Sequence, residues 1–206
     1  MVSRVMCEGE VMTTTAGARS GDQLRGELLT AATELLSERL SLTPPSLRET
    51  ARACGVSATA VYRHFPSQQA LLLAVAGESL ADLEAAVDEH GSAAAPPTDR
   101  LQALRAMAVA YATWAVANPG AYQLLFEGRD LLENTTAIDA GVDRLQRRLE
   151  DLLRGLPAGG RDETVQAELL WIALHGLVVT RIRKAHHAWR REVTEDALLL
   201  VDAFTA

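Results

Sequence analysis

Three helix starts crowd into residues 46–67, and that crowding limits what the chain can fold into more than any other feature. Ser46-Leu47-Arg48-Glu49 has the spacing of a capping box, in which the serine accepts from the amide of Glu49 and the glutamate reaches back. Ser57 stands ready to cap a second helix, and Pro66-Ser67 ends that one and caps a third. Only two short helices fit between these signals, over 47–53 and 58–64. Gly55 falls where the chain must turn through a left-handed conformation. Ala51 is small enough for close helix contact, and Val56 and Val61 fill the wedge. The pattern predicts a helix-turn-helix.

The rest of the chain follows the helical period, and strand alternation is nearly absent. Leu24, Leu28, Ala31, Ala32, Leu35 and Leu36 form one stripe over 22–40, and a long helix runs from about 67 to 90. GSAAAPPTD at 91–99 reads as a linker. Further helices are expected over 100–117, from Pro119 through Phe126, along Val142, Leu145, Leu149, Leu152 and Leu156, over 162–186, and over 194–204. Residues 128–137 read as loop. The fold class is all-α with about nine helices. The predicted organisation is a tail over 1–20, a helix-turn-helix domain over 21–66 and a helical domain over 67–206.

Charge is informative only when divided. Residues 1–66 hold seven arginines against seven carboxylates, whereas 67–206 carry the whole net charge of −7. The N-terminal third is therefore neutral, not basic as nucleic-acid readers often are. Cys7 and Cys54 make neither a disulfide framework nor a zinc spacing, which fits a reducing, cytoplasmic setting. The longest apolar run, 106–117, falls short of the roughly 20 residues that span a bilayer, so no membrane segment is expected. His186 and His187, even with Glu192, make poor joint metal ligands, because adjacent side chains on a helix diverge by about 100°. No nucleophile elbow, phosphate-cradling glycine loop or His-Glu-x-x-His occurs. No enzyme, cofactor or metal is expected.

In a helix-turn-helix, the exposed side of the second helix can enter a major groove. Here that side would carry Ser57, Ala58, Thr59, Tyr62 and Arg63. Thr59 can touch a thymine methyl or accept a hydrogen bond from a base. Tyr62 and His64 can donate to phosphates, and Arg48 can add charge. From these residues alone, a DNA reader and a helical protein without that role are equally well served.

The run from LLTAATELL to SQQALLLAV, about 24–76, closely resembles the DNA-binding domain of the TetR family of transcriptional regulators. The family's Tyr-x-x-Phe at the end of the recognition helix stands here as Tyr62-Arg63-His64-Phe65. Its Ser-Lys-x-x-Leu at the start of helix four stands as Ser67-Gln68-Gln69-Ala70-Leu71. Farther on, NPGAYQLLF at 118–126 and WIALHG at 171–176 resemble a C-terminal domain with a Trp-x-x-x-His-Gly signature. The resemblance implies double-stranded operator DNA as partner, a homodimer through the helices near 162–186 and 194–204, and a small-molecule effector. It usually implies repression. An activator, or a ligand-binding protein with weakened DNA binding, is the alternative.

Three positions depart from the family pattern. Gln68 replaces a lysine that contacts phosphate, Thr50 replaces an aliphatic residue, and Leu40 replaces a glycine. The Thr50 hydroxyl can bond back to a carbonyl of the preceding turn. Gln68 can still offer an amide to a phosphate, but losing one charge per subunit lowers the log–log salt slope of a dimer by roughly 2 at most. Arg25 could supply charge near the DNA. For the effector, the candidates are Met107, Tyr111, Trp114, Tyr122, Phe126, Trp171 and His175, an apolar wall with a few polar groups. Taken singly, each ring reads first as plain core, and His175 as a buried histidine with a satisfied hydrogen bond; the resemblance is what implies a pocket for the group. Gly176 is expected to let a neighbouring helix come close, and Arg181 to form an ion pair or meet an anionic effector.

Overall fold

The first four helices begin where the sequence supplies a serine cap. In the computed structural model, which describes residues 20–39, 43–90, 100–157, 159–160 and 162–206, both oxygens of the Ser46–Glu49 box are engaged. Ser46 Oγ accepts from the Glu49 amide at 3.2 Å, and Glu49 Oε2 accepts from the Ser46 amide at 2.8 Å. The box opens α2, Leu47–Ala53, after α1, Gly21–Arg39. Gly55 takes φ +65°, and Ser57 Oγ accepts from the Ala60 amide to start α3, Ala58–Tyr62. Ser67 Oγ accepts from the Ala70 amide at the head of α4, Gln68–His90. Thr50 is fully buried, and its hydroxyl donates to the Ser46 carbonyl at 3.1 Å, the back-bond expected of it.

The second half is a bundle around α5, Arg100–Ala117, which packs on α4 and on all three later long helices. These are α7, Thr136–Leu153, α8, Glu163–Arg183, and α9, Val193–Phe204. α6, Pro119–Tyr122, is followed at once by a π-helical turn, Gln123–Glu127, and a 3₁₀ turn, Arg129–Leu131. Among the described residues there are nine α-helices and no strand. The tail over 1–19, Leu40, the 91–99 segment, Ala158 and Arg161 lie outside the described residues.

Two boundaries correct the sequence reading. α7 begins at Thr136, six positions before Val142, because Ile138 and Gly141 already face the core; Leu156 lies beyond its end. The helix expected through Phe126 is α-helical only to Tyr122 and then widens into the π turn. α8 is also longer and more apolar than a search for uninterrupted runs reveals. Its 18-residue window has mean hydropathy 1.3, enough by length and composition to cross a membrane. In this fold its stripe of Ala167, Leu170, Leu174, Val178 and Ile182 is buried in the bundle.

The two halves meet at α1, α4 and α6. A Cβ on Gly120 would lie 2.4 Å from the Ser37 amide nitrogen and 2.7 Å from the Leu36 carbonyl carbon, so α6 seats directly on the α1 backbone. The Gly120 amide donates to Ser37 Oγ at 3.3 Å.

Candidate DNA-reading face and aromatic site

The buried side of α3 is a single residue, Val61, fully enclosed with Ala51, Leu47 and Phe65. That anchoring turns the other side outward. Ser57, Thr59, Tyr62 and Arg63 are exposed, Tyr62 at 54%, which is a large ring to leave in water. Ala58 and His64 are half-buried, the latter 3.8 Å from the position a Cβ would take on Gly21. Arg48 is exposed on α2. Ser57, Thr59, Tyr62 and Arg63 are thus open to solvent, with Ala58 half-buried beside them.

Two polar side chains go elsewhere than the sequence reading placed them. Gln68 Nε2 donates to the carbonyls of Pro44 and Pro45 at 3.3 and 2.9 Å, so its amide hydrogens point into the protein and not toward a phosphate. Arg25 pairs with Glu78 at 3.2 Å and lies over the Phe65 ring, 5.3 Å from its centroid. It braces α1 against α4 instead of adding charge to the reading face.

In the second half, Tyr111, Tyr122, Phe126, Trp171 and His175 come together as one cluster. The Tyr111 hydroxyl donates to the Tyr122 hydroxyl at 3.4 Å, so in its 2.7 Å bond with His175 it accepts from Nδ1–H of the neutral ring. Phe126 meets His175 edge-on at 4.7 Å between centroids, and Trp171 lies 4.8 Å from His175. Met107 is buried one turn before Tyr111 on α5. Burial holds the His175 imidazole neutral, with its pKa lowered to about 4. Burial likewise pushes Tyr122 up to about 12 and Tyr111 well above the ordinary phenol range. The cluster is therefore uncharged at neutral pH, a surface suited to apolar and aromatic groups with one hydrogen-bonded chain.

Trp114 is not part of it. It lines a separate cleft with Leu29, Val75 and Asp82, facing α1 and α4. Conversely, the sequence reading missed a cavity of about 250 Å³ between α7 and α8, lined by Gln146, Glu150, Thr164 and Glu168 with Trp171 at its inner wall. Four polar side chains face it beside Leu149, Ala167 and Trp171, and a mixed lining of this kind has no period to read. It also missed Gln123, buried in the π turn with neither amide atom bonded. Nothing marks a glutamine as buried in advance.

Arg181 forms an ion pair with Asp196 at 2.5 Å, which Arg191 shares, and stacks on Trp189 at 4.4 Å. Both oxygens of Asp196 are thereby held by guanidinium groups. A Cβ on Gly176 would meet nothing within 4 Å, so the close helix approach expected there does not occur within the chain.

Comparison with known proteins matches both halves. A family model described as bacterial regulatory proteins, tetR family, matches residues 28–75. A second, described as a tetracyclin repressor-like C-terminal domain, matches residues 104–204. The chain belongs to the TetR family. It is a TetR-family transcriptional regulator. The HTH-type transcriptional activator FasR of Mycolicibacterium smegmatis is 28% identical over 168 residues, covering 81% of this chain and 72% of FasR. The TetR-family regulator PfmR from Thermus thermophilus shares the fold, with a TM-score of 0.70 at 24% identity over 86% of this chain and 96% of PfmR. AibR, solved with isovaleryl coenzyme A and operator DNA, shares it too, with a TM-score of 0.71 at 22% identity over 88% of this chain and 97% of AibR.

Proposed function

We propose that this TetR-family protein binds operator DNA as a homodimer and responds to a small molecule taken up beside the aromatic cluster. The observation that carries the first part is the exposed face of Ser57, Thr59, Tyr62 and Arg63 on a capped helix whose other side is locked by Val61. Thr59 reads bases, and Tyr62, His64 and Arg63 hold phosphates, with Arg48 contributing from α2. Gln68 acts from behind, through the Pro44–Pro45 backbone. Residues 21–66 serve reading, and 67–206 serve sensing and assembly.

For the effector, Tyr111, Tyr122, Phe126, Trp171 and His175 form the wall, and the cavity between α7 and α8 leads to Trp171. Trp171, His175 and Gly176 carry the Trp-His-Gly resemblance. For the dimer, the outer face of α8 and α9 exposes Val165, Leu169, Ile172 and Leu199, at 45%, 40%, 56% and 51%. Gly176, open within the chain, lies in the groove between Ala173 and Thr180 on that face, where a partner's helix can approach. The protein works by binding, without turnover, in the cytoplasm.

Repression relieved by the effector is the reading the family resemblance favours. Activation is the second reading, favoured by the similarity to FasR, a transcriptional activator. Selection of duplexes from a random pool by the full chain, followed by Thr59→Ala and Tyr62→Ala variants, tests the reading face. Both changes together should abolish the selected preference, and a preference that survives them overturns the assignment. Transcription in vitro from a promoter carrying the selected site then distinguishes repression from activation.

A further inference from the structure

α4 opens with two glutamines that hold opposite halves of the molecule. Gln68 Nε2 donates to the carbonyls of Pro44 and Pro45, in the segment that leads directly into Ser46, the cap of α2. Gln69 Nε2 donates to the Leu131 carbonyl at 2.7 Å, and its Oε1 accepts from the Glu133 amide at 3.3 Å. One planar amide thus closes a two-point clasp on a loop backbone. Leu132, between the two bonded residues, is buried and anchors that loop. A glutamate cannot make the same clasp, since it has no N–H to donate, and an asparagine is one methylene shorter.

The clasped loop continues from the π turn Gln123–Glu127, which carries Phe126 into the aromatic cluster against His175. The turn holds one residue more than an α-helical turn would, and π turns are rare outside functional sites. It also holds Gln123, whose buried amide has no partner, so its present form is not one in which every group is satisfied. An α-helical form of this turn, one residue tighter, would be its second arrangement, and a transmitted signal needs such a two-state element.

We propose that Gln68 and Gln69 are paired positioning residues. Gln69 fastens the start of α4 to the loop behind the aromatic cluster, Gln68 fastens it to the lead-in of α2, and a shift of the π turn thereby reaches the helix-turn-helix. The clasp stands on geometry alone. Only the origin of the shift rests on the effector reading above.

Hydrogen exchange of backbone amides in the full chain tests it without any effector. Gln69→Glu should raise exchange about five-fold at Glu133 and also along Ser46–Ala53, and Gln68→Glu should raise it along Ser46–Ala53 and also at residues 131–134, each on the scale of one lost hydrogen bond. The double variant should add little to either single one, because both cut the same link. Exchange changes confined to the residues each glutamine touches, or strictly additive in the double variant, overturn the proposal. So does a uniform rise that includes α5 and α8. If Gln69→Glu does not fold, Gln69→Met keeps the apolar stem and is read by the same criteria. A negative result here leaves the aromatic site standing, and a failure to find any ligand there leaves the clasp standing.

Discussion

A neutral histidine in a cage of rings gives this protein an acid-sensitive point. With its pKa lowered from near 6.5 to about 4, His175 stays unprotonated in the folded chain while the unfolded chain takes up a proton. The sign follows directly: stability is full above pH 6.5 and falls as pH drops toward 4, by about 3 kcal/mol at most. His175→Phe should flatten that limb when urea unfolding is followed across the window. An unchanged limb would mean the imidazole is protonated in the fold. At the same scale, Thr50 was readable and Gln68 was not. The Thr50 back-bond runs to a residue four positions away, within reach of local reasoning. The Gln68 and Gln69 bonds reach across 23 and 62 positions, and no local pattern foretells such a partner.

At the scale of elements, the caps made most of the fold legible. α2 was placed to the residue because Ser46, Glu49 and Gly55 each enforce a local geometry. The π turn escaped notice because its apolar residues, Leu124 and Leu125, look like any helix in sequence. The extra residue is a matter of hydrogen bonding, not of pattern. The aromatic site was legible as a set of rings but not as to which side of α5 each faces, hence Trp114. Two glycines bracket what the helices tolerate. Gly77 sits exposed in α4 with nothing within 4 Å of a Cβ, so Gly77→Ala should stabilise by about 0.5–1 kcal/mol. Gly120→Ala drives a methyl into the α1 backbone and should destabilise by about 1–3 kcal/mol or displace α1. Thermal unfolding of the two variants, side by side, checks both signs.

For the whole molecule, the proposed dimer rests on the exposed apolar stripe of α8, Val165, Leu169 and Ile172. Ile172 is the most exposed large apolar residue on it, so Ile172→Glu should convert the dimer to monomers in native mass spectrometry while leaving the helical content intact. A variant that remains dimeric would move the interface elsewhere. The outward stripe was invisible to composition, since α8 carries a buried stripe and an exposed one, and both read simply as apolar.

The seat of α6 on α1 also bears on how such regulators can be recombined. Because Gly120 admits the Ser37 backbone at a distance no side chain would allow, the N-terminal half is keyed to its own C-terminal half. Grafting residues 21–66 onto a relative that carries any side chain at the matching position should give a chimera whose head is tilted and whose response is lost. Carrying the Pro119–Tyr122 helix along with the graft should restore it. In a toolbox of interchangeable sensors, this seam is the compatibility code, and a single missing methyl group writes it.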